Sequence, residues 1–439
     1  MIRLGGEWRL RLSCLLGFFV VSSGVAAQDA QEITLSEALR TAQRDPPAVL
    51  VAYAQYRSAQ AERGYAQGAW LPAFTAQASG GYTYDERQPL PTLPRAATEA
   101  LEARGELKLE WLAVDIARGG RIDSASASER ARRFDVDATR SRAALLAAEL
   151  YLRAGAAIEL VQDAGLSLER RRDQHRATTE LVKAGTRSPL DAQRAQVEVL
   201  SAEYALELRR TDQSAAFSAL AAALGRSPDQ LVRPATTSAD FPVRVESATQ
   251  AKRVAKDHRA ELRAAAANVS ASQRAHDAAV GQRWPALGLA ATGSAAYVDA
   301  RSGVAIEGRQ LTAAGVGFVR WNGLDPAVWM QASVSDAAAQ LAQREQAEQV
   351  HAIESEAVGA FYTLSRARIW HQRAVAVLEA AKVTRDAQNG RYRAGLGSLL
   401  ELLDAEDLEQ QARQARIEAQ RDEVIASARL QAACGLLVR

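Results

Sequence analysis

Phe74-Thr75-Ala76-Gln77-Ala78-Ser79-Gly80-Gly81-Tyr82-Thr83-Tyr84 alternates apolar and polar residues with a period of two. Phe74, Ala76, Ala78, Gly80, Tyr82 and Tyr84 fall on one face of an extended chain, and Thr75, Gln77, Ser79, Gly81 and Thr83 on the other. A strand needs about 9–11 residues to cross a bilayer, and this run is long enough. Beyond Pro89, Pro91 and Pro94 the alternation returns, with Leu107, Leu109 and Trp111 set against Glu106, Lys108 and Glu110. A weaker version recurs at Leu287, Leu289, Ala291, Ala295 and Tyr297. Leu311 to Trp321 completes the set, read as a strand from the internal repeat because small residues occupy both its faces.

Four such strands carry a topological demand. In lipid every backbone N–H and C=O must be paired, so sheets cross only as closed barrels, the smallest with about eight strands. One chain cannot close a barrel; strands that enter the membrane require several chains. Hairpins of this kind also cover soluble cores, so the flanking sequence has to decide.

That sequence is helical. Ser36 to about Gln67 is rich in Ala, Gln, Arg and Glu, and Pro72 marks its end. Arg121–Lys183 and Pro326–Arg393 form long Ala-rich stretches, the second opened by Asp325 as cap with Pro326 in the first turn. Shorter helices run from Pro189 to about Leu224 and from Leu399 to about Leu436. At about 1.5 Å per residue the first long stretch spans roughly 95 Å, and the two shorter helices of its half, end to end, about 100 Å. One long helix thus matches two short ones in a lengthwise bundle.

The two halves superimpose in sequence. Arg44-Asp45-Pro46 lies opposite Lys256-Asp257-His258, and Trp70-Leu71-Pro72 opposite Arg283-Trp284-Pro285. Lys183-Ala184-Gly185 meets Arg393-Ala394-Gly395, and Ala223-Leu224-Gly225 meets Ala433-Cys434-Gly435. Landmarks in one order and nearly one register read as duplication of a helix, hairpin, long helix, helix unit. The expected boundaries are 28–240, with a hairpin at 72–116, and 241–439, with a hairpin at 285–322.

The first 27 residues read as a cleaved secretory signal: Arg3, Arg9 and Arg11 precede the apolar run Cys14–Val21, and Val25-Ala26-Ala27 supplies small residues before Gln28. Acylation of Cys14 fits less well, because the apolar stretch follows that cysteine. Loss of the three arginines with Glu7 brings 54 basic and 52 acidic side chains to equal numbers and leaves one thiol, Cys434. A neutral chain is not the polycation that nucleic-acid binding favours. Two cysteines and five scattered histidines supply no metal-ligand spacing, and the phosphate-loop, nucleophile-elbow and His-Glu-x-x-His patterns are missing. No cofactor, metal or catalytic residue is expected, and no enzyme.

The signal, the duplicated unit and two turns, Lys183-Ala184-Gly185-Thr186-Arg187-Ser188 and Tyr392-Arg393-Ala394-Gly395-Leu396-Gly397-Ser398, together resemble the TolC family of outer-membrane efflux proteins. The second turn, continuing through Leu399-Leu400-Glu401-Leu402-Leu403-Asp404-Ala405, is the most specific part, and the likeness covers nearly all of the mature chain. It implies a mainly α fold with membrane β: a long antiparallel α-helical coiled-coil barrel, plus four strands per chain contributing to a trimeric 12-stranded barrel in the outer membrane. It implies a homotrimer that conducts passively from the periplasm, docked by a periplasmic adaptor and an inner-membrane pump. By matching motif positions, Glu401 and Asp404 would ring the constriction, and Asp191 and Tyr392 would hold the tip closed. Gly185, Thr186, Ser188, Gly395, Leu396 and Ser398 would form the adaptor-docking turns. Gly397 departs from the pattern, since some members carry a gate-locking arginine there.

The residues allow plainer roles too. Ser398-x-x-Glu401 and Ser188-Pro189-x-Asp191 have capping-box spacing, whereas Asp404 lies two turns in, where no cap needs it. Gly185 and Gly395 suit left-handed residues just past a helix end. Trp70, Trp111, Trp284 and Trp321 flank the strands, as an interfacial belt or as packing at strand–helix corners. The competing class is a soluble periplasmic coiled-coil adaptor or scaffold. Cargo, whether drug, metal ion or protein, is not encoded in these motifs.

Overall fold

The computed structural model describes residues 31–87, 96–237, 241–242, 245–302 and 308–437. The expected signal, with Cys14, and the proline link at Pro89, Pro91 and Pro94 lie outside them. After a short strand β1 (Gln31–Ile33), Thr34 caps α1 (Leu35–Ala42) by accepting a hydrogen bond from the Glu37 amide. The Ser36–Gln67 helix expected from composition is in fact two. Pro46 is extended and Pro47 occupies the first turn of α2 (Pro47–Gly68), because proline cannot supply the amide that would carry α1 onward. Strands β2 (Ala73–Arg87) and β3 (Ala96–Val114) follow, longer than the apolar run alone suggested.

Asp115 then accepts from the Ala117 amide and starts α3 at Ile116, five residues earlier than expected; α3 runs unbroken to Lys183. Ser188 caps α4 (Pro189–Ala223), and β4 (Val232–Pro234) pairs in parallel with β1. The second half repeats the order: α5 (Ala248–His258), α6 (Ala260–Gly281), β5 (Ala286–Ser302), β6 (Gly308–Arg320), α7 (Pro326–Arg393) and α8 (Leu399–Ala433). Helix lengths match pair by pair, 22 residues in α2 and α6, 68 in α3 and α7, and 35 in α4 and α8. Each long helix is therefore about 100 Å.

The helices form one layer. α4, α3, α8 and α7 lie side by side in that order, and α2, α3, α6 and α7 continue the layer toward the strands. The four long strands make an antiparallel sheet in the order β2-β3-β5-β6. Every layer thus ends on the same two flanks: β2, α2 and α4 on one, β6 and α7 on the other.

Where the short helices meet, at the waist, two equivalent cores form. One joins Ala38, Ala42, Tyr151, Phe217, Leu220, Leu224 and Val232, the other Ala251, Ala255, Ile353, Leu364, Leu430 and Cys434, and Phe241 against Leu152 and Ile425 connects them. Alanine dominates, so helices approach closely and each contact contributes little apolar area on its own. Gly225 and Gly435 end α4 and α8 in the left-handed region, φ 75° and 70°. A Cβ on either would sit 2.9 Å from backbone, of Asp45 in the first half and His258 in the second. Both glycines therefore wedge into the break between the paired short helices.

Candidate functional site

The strand register sorts the sheet into two faces. Phe74, Leu109, Ala291 and Gly315 stand in one row, Ala76, Leu107, Gly293 and Ala313 in the next, then Ala78, Gly105, Ala295 and Leu311. The opposite face carries Thr75, Lys108, Thr292 and Ala314, then Gln77, Glu106, Ser294 and Thr312, then Ser79, Arg104, Ala296 and Gln310. Every charge between Leu101 and Trp111 lies on this second face. The apolar face begins at Trp111 and runs ten residues along β3 to Leu101; Glu99 stands beyond it, and Asp299, directly opposite Leu101, and Arg309, opposite Tyr297, mark its rim on β5 and β6. At about 3.3 Å per residue and a tilt near 40°, that stretch is roughly 25 Å tall, the height of a bilayer's apolar band. Phe74, Leu107, Leu289 and Leu311 are each more than half exposed, so nothing among the described residues covers this face.

At the junction with the helices, Trp111 Nε1 donates to the Trp70 carbonyl and Trp321 Nε1 to the Arg283 carbonyl, each at 3.0 Å. Both indoles thereby satisfy carbonyls left free past the ends of α2 and α6. Arg118, almost fully buried, lies over the Trp70 ring at 4.3 Å.

About 100 Å away, two tight turns close the far end. Gly185 (φ 73°) and Gly395 (φ 77°) stand past α3 and α7. The Thr186 amide donates back to Leu181 O at 3.0 Å and the Leu396 amide to Arg391 O at 2.9 Å, so both helices end in Schellman motifs. The capping boxes form by half. Ser398 Oγ accepts from the Glu401 amide at 3.2 Å, but the Glu401 carboxylate lies 4.0 Å from Arg391; Ser188 Oγ accepts from Leu190 rather than Asp191. Glu401 and Asp404 lie on an exposed face of α8, shared with Leu408, and Asp191 is half-buried at the start of α4. Leu396 is 76% exposed at the apex of the second turn.

Tyr392 points inward. It packs with Leu399, Leu402 and Leu403, and its hydroxyl lies 3.3 Å from Thr178 Oγ1 on α3. Arg187, which sequence reading did not single out, joins the two turns: Nη2 donates to Tyr392 O at 3.0 Å and Gly397 O at 3.3 Å, and the guanidinium stacks 4.5 Å from the Tyr392 ring. A basic group thus covers the Gly397 turn from the neighbouring hairpin. Residue spacing could not reveal this, since 205 positions separate Arg187 from Tyr392.

Between the tip and the waist, a charged network ties α3 to α8 and α7. Arg171, 4% exposed, pairs with Glu406 at 2.8 Å and also with Asp407. Arg413 reaches Asp163 at 2.8 Å and also pairs with Glu409, which Arg385 meets at 3.1 Å from α7. Burial outweighs the nearby arginines and pushes the Asp163 and Glu406 carboxyls above the usual carboxylate range. Ser167 Oγ adds a neutral link to Gln410 Oε1 at 2.6 Å.

Three solved structures share this architecture over nearly their whole lengths. The outer-membrane channel OprN matches 98% of this chain and 98% of its own at a TM-score of 0.76 and 20% identity. The CmeC outer membrane channel of Campylobacter jejuni matches 92% and 86%, at 0.74 and 14%. The open state of the MtrE outer membrane channel of Neisseria gonorrhoeae matches 99% and 98%, at 0.70 and 16%. The chain has the outer-membrane channel fold. No family model matches the sequence, and no curated protein does either. Within the channel fold, the sheet and the turn-bearing tip mark the two ends of the molecule, and the open flanks β2/α2/α4 and β6/α7 run its whole length.

Proposed function

We propose that three copies of this chain close into an outer-membrane duct that conducts solutes passively, the exit component of a tripartite efflux or secretion system. The observation that carries the reading is the segregation of the sheet into an apolar face about 25 Å tall and a polar face, on a sheet whose two edges are unpaired within one chain. Pairing β6 of one copy with β2 of the next turns polar residues to a lumen and apolar residues to lipid, and three copies of a four-stranded sheet give twelve strands. The same rotation seats α7 against the neighbour's α2 and α4. Those flanks expose what such a seam buries: Val197, Leu200 and Tyr204 on α4, and Trp370, Val377 and Val383 on α7. The equal helix lengths of the halves support duplication of a single unit, with boundaries near 28–240 and 241–439.

In this arrangement the helices prolong the bore into the periplasm, and the turns at Gly185, Thr186, Ser188, Gly395, Leu396 and Ser398 face an adaptor and its inner-membrane pump. The exposed Leu396 gives such a partner an apolar anchor. Glu401 and Asp404, repeated three-fold around a narrow axis, form rings that attract cations. Asp191 and Tyr392 act beside them, Tyr392 as an internal post of the tip. The chain contributes no bond-breaking chemistry. Bilayer recordings test this: the wild type prefers cations, and Asp404→Ala reduces that preference with little loss of trimer. Unchanged selectivity removes the ring.

A further inference from the structure

A cavity of about 510 Å³ opens at the waist, where the end of α1, the middle of α3 and the break between α5 and α6 meet. Four arginines line it, Arg40, Arg44, Arg140 and Arg259, against Asp137 and Glu261. The acids offset its charge only in part. Glu261 is taken by Arg259, whose Nε and Nη2 lie 3.1 and 3.3 Å from its oxygens, and Arg259 also holds Glu356 at 2.9 and 3.0 Å. Asp137 forms an i,i+3 ion pair with Arg140 at 3.6 Å, beyond hydrogen-bond distance, so the Arg140 N–H donors stay unfilled. Arg40 uses only Nε, on Ser36 O at 3.2 Å, and keeps both terminal nitrogens; the Arg44 amide donates to Thr41 O at 3.0 Å, but its side chain makes no hydrogen bond or ion pair among the described residues.

The remaining wall is also electropositive. α6 begins here at Ala260, and its N-cap Arg259 makes no side-chain capping bond, so the amides of a 22-residue helix start uncapped at the cavity. His258 Nδ1 donates to Val254 O at 3.0 Å, leaving Nε2 available. Three guanidiniums with spare donors around a helix start suit a doubly charged, tetrahedral oxyanion, which planar forks and backbone amides both recognise. We propose that this cavity binds a phosphate-class dianion, as the free ion or as the phosphate of a larger molecule, bridging α1 of the first half to α5 and α6 of the second. The proposal is independent of the channel reading.

Titration calorimetry on the full-length protein in detergent, at low ionic strength, tests it with inorganic phosphate and with glycerol 3-phosphate. One saturable site per chain is expected. The double substitution Arg44→Gln, Arg140→Gln weakens binding at least about tenfold, whereas Arg253→Gln, on the exposed side of α5, leaves it unchanged. Tighter binding of the ester assigns the site to a phosphate-bearing molecule; equal binding assigns it to the free ion. The melting temperature rises with phosphate in the wild type and not in the double variant. Should the double variant fold poorly, Arg44→Gln alone, at an exposed position, carries the same comparison. Absence of saturable binding to the wild type, or equal affinity in wild type and Arg44 variant, overturns the proposal.

Discussion

Arg187 holds together two turns that come from opposite halves of the chain. Arg187→Ala removes one donated bond to the α7-end carbonyl of Tyr392, one to the turn carbonyl of Gly397, and a cation–π contact, about 1–3 kcal/mol locally. Amide exchange across 392–398 should accelerate roughly tenfold or more while the waist stays protected; unchanged exchange means that the turn is held by its own Schellman bonds alone. Arg171 is more deeply committed. Its removal leaves the partly exposed Glu406 and Asp407 without their common partner, and Arg171→Ala should cost about 1–3 kcal/mol in chemical denaturation. Cys434 has the opposite character. It is buried in the second waist core, and desolvation pushes its thiol up to about 11. Native protein at pH 8 should resist maleimide, and unfolded protein should react at once. Because the unfolded thiol ionises near 9 and the folded thiol near 11, this group's contribution to stability is complete below pH 9 and is lost as pH rises toward 11. Glu354 runs the other way. Lys252 and Lys256 bring its carboxyl to about 2, so its contribution holds above about pH 4.5 and is lost as pH falls toward 2. Asp163 and Glu406, whose burial raises them, gain relative stability on mild acidification, so the network between α3 and α8 should tolerate pH 5 better than the Glu354 cluster tolerates pH 3.

Among the elements, those written in local chemistry were legible in sequence. Asp325-Pro326, Ser188-Pro189 and Ser398 set helix starts where the caps form, the two-residue period placed three strands, and the internal repeat placed the fourth. The double proline at Pro46-Pro47 marked a break that a run of good helix formers obscured. The strands overran the apolar band because backbone pairing continues past the last apolar pair, out to Arg87 and Ala96. Arg187, Arg171 and the waist cavity were invisible, since each depends on the register of helices joined only through the fold. The glycines at the helix ends carry a test of the paired halves. Gly435→Ala places a Cβ 2.9 Å from the His258 backbone at a φ of 70° and should lower stability by more than about 1–3 kcal/mol; Gly225→Ala should do the same against Asp45. Gly397→Ala, at an ordinary φ with its nearest neighbours at 3.4 Å, should be mild. Thermal melts of the three separate these outcomes.

On the scale of the whole molecule, the described residues form a layer whose flanks, β2/α2/α4 on one side and β6/α7 on the other, are left open within one chain. The stripes on α4 and α7 are exposed in the single copy, and the proposed rotational ring would bury them with one kind of seam while leaving the apolar sheet face to lipid. A cysteine pair across that seam, one on β6 and one on β2, reads closure directly. With native cysteines removed, Val316→Cys and Thr75→Cys in the mature chain should give a ladder ending at three copies under mild oxidation, from outer-membrane fractions and with single-cysteine controls staying monomeric on denaturing gels. A cross-linked trimer is the expected result; cross-linking that stops at monomer in the intact membrane, or a chain recovered wholly in the soluble periplasmic fraction, contradicts closure by three copies.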